Sequence, residues 1–147
     1  MLVLCTHRAP VIPSLWRISV PEKSQTLAEA GELAFITRIR AFMPGEGGDI
    51  VRSIGDDCLV TLEPGDGRLL FTVDTFVDEV HFTRSFMTWE EIGARCMAAS
   101  VSDIAAMSGV PVHTLVSLSM PRMLPLDDAV SLFRGLATTA ESYGCPI

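Results

Sequence analysis

The sequence predicts an α/β fold, in the broad sense that includes α+β, and three observations carry that expectation. Two β-rich runs, 58–62 and 69–73, flank a Pro-Gly-Asp-Gly turn at 64–67. Two long amphipathic segments, 88–107 and 126–143, carry helix-start and helix-stop residues at their ends. Between them, 114–119 reads as one more strand. The chain has 147 residues, 48% of them hydrophobic, which is enough apolar material for one domain with a real core plus an extension.

Residues 1–23 contain Pro10, Pro13 and Pro21 and show no sustained periodicity. They are expected to be a poorly ordered extension, with 24–147 forming the domain. The apolar run 1–5 is followed directly by His7 and Arg8, which is not the order of a signal peptide. Thr26 with Glu29 forms a candidate capping box. The helix starts there or at Gly31 and Glu32, presents Leu33, Ile36, Ile39 and the stem of Arg40 to the core, and ends before Met43 and Pro44. The Gly-rich stretch 44–48 lacks the Gly-Lys-Ser/Thr ending of a P-loop, so it reads as a linker.

The hairpin brings acidic residues together. A turn centred between Gly65 and Asp66 sets Asp57 opposite Asp74 at its open end, with Asp56 adjacent and Asp78 and Glu79 shortly after. Directly opposed like charges on neighbouring strands are destabilising. The helix from Thr88 to about Met107 opens with Thr88, Trp89, Glu90 and Glu91 as a capping box and stops at Gly109 and Pro111. Trp89, Ile92, Cys96, Ala99 and Asp103 share one face, and Gly93, Ala94, Ala98, Ser100, Ala105 and Ala106 imply close packing. A carboxylate on that apolar stripe needs a partner, and no Lys or Arg is locally placed to supply it. The last helix has Asp127 and Asp128 at its positive end, an apolar face of Val130, Phe133, Leu136, Ala137 and Ala140, and Gly144 just past its end. The terminal Cys145, Pro146 and Ile147 read as the opening of another strand, so the layout looks truncated.

Charge narrows the function classes. With 18 acidic against 11 basic residues and a net charge of −7, the chain is a poor nucleic-acid binder, because phosphate repels it. A phosphorylated substrate meets the same repulsion and needs cations from elsewhere. No apolar run approaches the ~20 residues that span a bilayer. Cys5, Cys58, Cys96 and Cys145 form no Cys-x-x-Cys pair, which argues for reduced thiols in a cytoplasmic protein. Each aspartate also has a structural reading: an Asx turn at Asp56 and Asp57, a strand-end cap at Asp74, a backbone N–H acceptor at Asp103. Taken together, acidic positions without basic partners favour a divalent cation, and an oxygen-only donor set selects Mg²⁺ over zinc.

At these residues the sequence resembles thiamine-monophosphate kinase. The motifs are Ile54-Gly55-Asp56-Asp57-Cys58, then Thr72-Val73-Asp74-Thr75-Phe76-Val77 with His81-Phe82, then Ser102-Asp103-Ile104-Ala105-Ala106-Met107, in the family's order. Gly31-Glu32, 114–121 and Phe133-Arg134-Gly135-Leu136 extend the resemblance from about residue 30 to the end. It implies an N-terminal aminoimidazole ribonucleotide synthetase-like domain. Such a domain is a hairpin-containing mixed sheet covered by helices that dimerises sheet to sheet, here without its C-terminal domain.

The resemblance further implies Asp57, Thr72, Val73, Asp74 and Asp103 as magnesium ligands, Val73 through its carbonyl alone, and His81 as a contact to thiamine monophosphate. ATP is the implied co-substrate and a homodimer the implied assembly, with no nucleic-acid or membrane partner. The family often has Gly at the positions of Glu79 and Ser108, Asn at Ser100 and Thr at Val73. Two other readings stay open: a non-catalytic dimerisation fragment, or a related enzyme of the selenophosphate or aminoimidazole ribonucleotide synthetase type.

Overall fold

The computed structural model describes residues 26–43, 45–63, 65 and 67–147. The chain divides after Phe42 into two compact units. The expected extension, residues 1–23, and the turn residues Pro64 and Asp66 lie outside the described residues.

In the first unit the capping box forms. Thr26 Oγ1 accepts from the Glu29 N–H at 3.3 Å, and Glu29 Oε2 accepts from the Thr26 N–H at 2.8 Å. Both helix starts allowed by the sequence are used. Helix α1 (Leu27–Ala30) stops at Gly31, whose φ of +75° breaks the spiral, and α2 (Glu32–Ile39) begins at once, ending in a 3-10 turn over Arg40–Phe42. Leu33, expected on the core face, is 80% exposed, whereas Ile36 and Ile39 are half-buried. Leu33 shares α2 with Ile36 and Ile39, but it stands in the first turn, at the end of that stripe.

In the second unit β1 (Ile50–Arg52), β2 (Leu59–Glu63) and β3 (Gly67–Phe71) form an antiparallel sheet in the order β1-β2-β3. Strand β1 has no sequence signal of its own, because three residues are too few for period-two alternation to show. Where a mixed sheet was expected, all the described strands run antiparallel. The connections between them are far shorter than a parallel crossover requires. The hairpin register pairs Leu59 with Phe71 and Glu63 with Gly67, which centres the turn on Gly65 (φ +92°) rather than between Gly65 and Asp66. The expected cross-strand partners are therefore off by one, and both Asp57 and Asp74 lie beyond the end of the ladder. Gly65, in the left-handed region that glycine adopts without strain, stands at the midpoint of that register. On one face of the hairpin Val60 is buried beside Leu70; on the other, Leu59 and Phe71 are exposed.

Two helices form the core. Helix α3 (Trp89–Ala106) starts on the predicted box, with Thr88 Oγ1 accepting from the Glu91 N–H and Glu91 Oε2 accepting from the Thr88 N–H at 2.8 Å. Helix α4 (Leu126–Ser142) packs against it around two glycines. A Cβ placed on Gly93 would collide with the Leu132 carbonyl oxygen and reach the Leu136 nitrogen at 2.9 Å. A Cβ on Gly135 would collide with the Glu90 carbonyl oxygen and reach the Ala94 nitrogen at 3.0 Å. The backbones thus touch directly, and Ile92, Met97, Leu132, Leu136, Ala140 and Cys145 close the core around that contact. Leu136 and Ala140 are buried as the spacing predicts, but Val130 and Phe133 are exposed and Leu132 takes their place. The physical reason is Gly135: the contact is centred on a residue without a side chain, which a count of apolar residues cannot weigh.

Both helices end in Schellman motifs. After α4, Gly144 (φ +69°) donates to Glu141 O at 3.0 Å and Cys145 N–H to Ala140 O at 3.0 Å. After α3, Ser108 donates to Ala105 O at 2.9 Å and Gly109 N–H to Ile104 O at 2.8 Å. The left-handed position there is held by Ser108 at φ +59°. A Cβ on Gly109 would run into Leu70 Cδ1, so the end of α3 abuts the inner face of the sheet.

The strand expected at 114–119 does not form. The segment has no regular secondary structure, and its recorded backbone pairing is a single bond from Thr114 N–H to Pro146 O at 3.0 Å. Val116 and Met120 pack against the core while Leu115 is 98% exposed. β-propensity produces a strand only where a ladder partner lies alongside.

Two substitutions separate these effects. Gly93→Ala gains helix propensity of at most ~1 kcal/mol but forces a methyl into a backbone carbonyl, so a net loss of about 2 kcal/mol or more is expected in urea unfolding. Ser108→Gly relieves a left-handed L-residue, and the gain exceeds the entropy lost to a freer unfolded chain. A net stabilisation of about 0.5–1 kcal/mol is expected in the same assay.

Candidate functional site

The residues that leave β3 run alongside α3, and two reciprocal hydrogen bonds tie them together. Thr72 Oγ1 donates to Asp103 Oδ2 at 2.6 Å. Ser100 Oγ donates to Asp74 Oδ2 at 2.9 Å. Ser100 and Asp103 are one helical turn apart and so present to the same side. Each element therefore supplies one hydroxyl and one carboxylate. Among the described residues the Oδ1 atoms of Asp74 and Asp103 have no hydrogen bond recorded.

The cysteines locate the remaining carboxylates. Cys58 is 2% exposed, and its thiol is pushed up first by burial, then by Asp103, Asp57 and Asp56. Cys96 is pushed up to about 11 by burial and by Asp74. Asp103 of α3 thus lies within electrostatic reach of Cys58, as do that cysteine's chain neighbours Asp56 and Asp57, and Asp74 acts on Cys96 of the same helix. Asp56 differs from the rest. It pairs with Arg52 Nε at 3.3 Å and accepts from the Asp57 N–H at 3.1 Å, one residue on rather than the two of an Asx turn. The expectation that the acidic positions lack basic partners is corrected there and at Asp78, which sits 3.9 Å from Arg84. Asp103 finds its partner in a side-chain hydroxyl rather than a backbone N–H or a cation. The Val73 side chain is 92% exposed and offers no donor atom.

Among the described residues no three His, Cys, Asp or Glu side chains come together as an ion-holding group. The donor chemistry nevertheless suits a hard ion: carboxylates of Asp57, Asp74 and Asp103 and the hydroxyl of Thr72, with no nitrogen or sulfur ligand among them.

His81 lies in the loop between β3 and α3. Its Nδ1 accepts from the Val77 N–H at 3.0 Å, and its ring centre is 5.5 Å from that of Phe76. With Nδ1 committed as acceptor, the neutral ring carries its proton on Nε2. His81 lines an open depression of about 490 Å³ with Glu79, Phe82, Phe86, Met87 and Arg95. Glu79 has φ +61°, a left-handed conformation for a non-glycine residue.

Ser100 is the residue that motif reading passes over. The Ser-Asp motif highlights Ser102, yet Ser102 Oγ bonds back to Ala99 O at 2.6 Å inside its own helix. The usable signal was the three-residue spacing from Ser100 to Asp103.

Comparison with known proteins bears on this site. Residues 55–147 match the family model described as AIR synthase related protein, N-terminal domain. The chain is 29% identical over 123 residues to thiamine-monophosphate kinase of Synechococcus elongatus, covering 84% of this chain and 36% of that protein. It is 32% identical over 117 residues to the enzyme of that name from Methanocaldococcus jannaschii, covering 79% and 36%. A solved structure, AaThiL complexed with AMPPCP and TMP, aligns with a TM-score of 0.73 at 30% identity, over 84% of this chain and 37% of that one. The chain thus spans about a third of the length of the relatives it matches. Among the described residues no helix is long and apolar enough to cross a membrane.

The proximity of Asp74 to Cys96 is open to direct measurement. Removing the carboxylate's charge makes the thiolate less unfavourable, so Asp74→Asn should lower the pH midpoint of Cys96 alkylation from its value near 11, read by peptide mass after iodoacetamide pulses across pH 8–11.5.

Proposed function

The chain belongs to the AIR synthase related protein family, matching its N-terminal domain, and from that premise we propose that it is the N-terminal, nucleotide- and Mg²⁺-binding part of a thiamine-monophosphate kinase. The reaction is ATP plus thiamine monophosphate giving ADP plus thiamine diphosphate. One observation carries the reading. The stretch leaving β3 is tied to α3 by the Thr72–Asp103 and Ser100–Asp74 bonds, and Asp103 lies within electrostatic reach of Cys58, the chain neighbour of Asp57. The similarity to AaThiL complexed with AMPPCP and TMP supports it independently.

The chemistry follows from charge. The attacking group is a phosphate oxygen whose second pKa is about 6, so it is largely ionised near neutrality and needs no general base. The obstacle is repulsion between two polyanions, which the site's carboxylates would increase if left unscreened. Asp57, Thr72, the Val73 carbonyl, Asp74 and Asp103 would hold Mg²⁺. Bound there, the ion supplies the positive charge that lets phosphates approach. Thr72 and Ser100 keep two carboxylates oriented without neutralising them. His81 presents its Nε2–H as a donor to the substrate.

The three cysteines among the described residues are free, in keeping with a cytoplasmic enzyme. Exposed Leu59 and Phe71 on the outer face of the hairpin favour a homodimer that covers them.

The test is calorimetric titration of the chain with its natural continuation. Mg²⁺-dependent binding of a non-hydrolysable ATP analogue is expected, weakened at least tenfold in Asp74→Asn and in Asp103→Asn. Equal binding by both variants and wild type removes the proposal.

A further inference from the structure

The His81 depression contains a group that the kinase reading does not use. We infer that Glu79 is a specificity-determining residue. Its carboxylate makes the depression selective for a ligand whose ring carries a fixed positive charge, the thiazolium of thiamine monophosphate in the reading above, on which this inference rests.

Three observations carry it. Glu79 lines the depression together with His81 and Arg95, so the same wall offers one carboxylate and two donors to anions. Phe82 and Phe86 line it as well, and Phe86 is 86% exposed. Aromatic faces beside a carboxylate suit a delocalised cation. The donors suit the phosphate at the other end of such a ligand.

The carboxylate is also held in place. Thr83 Oγ1 donates to Glu79 Oε1 at 3.2 Å. Because the Thr83 proton is used there, the 3.0 Å contact between Thr83 and Ser85 must run from Ser85 Oγ to Thr83 Oγ1. The relay fixes one oxygen of Glu79, and no hydrogen bond is recorded for the other. Arg95 has no ion pair recorded among the described residues, so Glu79 is not neutralised by the cation nearest to it in the depression.

The backbone adds the third observation. Among the described residues, Glu79 and Ser108 are the two non-glycine residues with positive φ, a conformation that glycine adopts without strain. At Ser108 the strain belongs to a helix cap. At Glu79 it holds a charged side chain on the wall of a depression, and strain of this kind is tolerated where the surroundings make use of it.

The experiment measures binding of thiamine monophosphate, and of the uncharged hydroxyethylthiazole monophosphate, by the chain with its natural continuation. Glu79→Gln keeps the shape and loses the charge. It should weaken thiamine monophosphate about fivefold, the upper range for a partly exposed charge pair, and leave the uncharged compound unchanged. Glu79→Gly should weaken thiamine monophosphate similarly while raising the melting temperature. Ser108→Gly should raise the melting temperature with no change in affinity. Equal thiamine monophosphate affinity in Glu79→Gln and wild type overturns the role of Glu79 and leaves the kinase reading standing. Absence of thiamine monophosphate binding by wild type overturns both.

Discussion

The backbone contact between α3 and α4 at Gly93 and Gly135 is the constraint on which the second unit depends. Neither glycine has room for a single methyl, because a peptide carbonyl of the facing helix occupies that space. Close approach on both sides of the crossing fixes the rotation of each helix as well as its distance. On α3 the rotation decides which residues reach the core (Ile92 and Met97) and which stand along the exit of β3 (Ser100 and Asp103). The chemistry-bearing face is thus set by a contact that contains no chemistry.

Asp74 and Asp103 are held by hydroxyls rather than by cations. An Arg or Lys beside Asp74 or Asp103 would orient the carboxylate equally well but cancel its charge. A hydroxyl donor orients it and leaves the charge in place. Thr72 and Ser100 do this from opposite elements, and the thiols of buried Cys58 and half-buried Cys96 are raised chiefly by their burial and further by the neighbouring aspartates. In a chain of net charge −7, phosphate chemistry requires such a field to recruit cations first.

Two L-residues occupy left-handed positions that glycine would fill without strain. A Schellman cap imposes the conformation at Ser108, and a tight loop around His81 imposes it at Glu79. Their consequences differ. Ser108 costs stability and is not part of the lining of the His81 depression. Glu79 incurs a similar strain and brings a carboxylate to the wall where His81 and Arg95 stand.

Local chemistry was legible in the residues themselves. Thr26 with Glu29, Thr88 with Glu91 and Gly144 were readable as caps because each is decided within one helical turn. The hairpin was readable from its turn, and the motifs around Asp57, Asp74 and Asp103 from their order. What failed was whatever depends on a partner remote in the chain. The register slipped by one because loop length, not turn composition, sets it. The 114–119 segment formed no strand because propensity cannot supply a neighbouring ladder. The buried face of α4 turned away from Val130 and Phe133 because a glycine, invisible to hydrophobic periodicity, set the contact. Ser100 joined Asp74 only because the tertiary fold laid β3's exit along α3. A sequence determines by itself the bonds that close within a few residues, and only the folded chain decides which distant groups come close enough to bond.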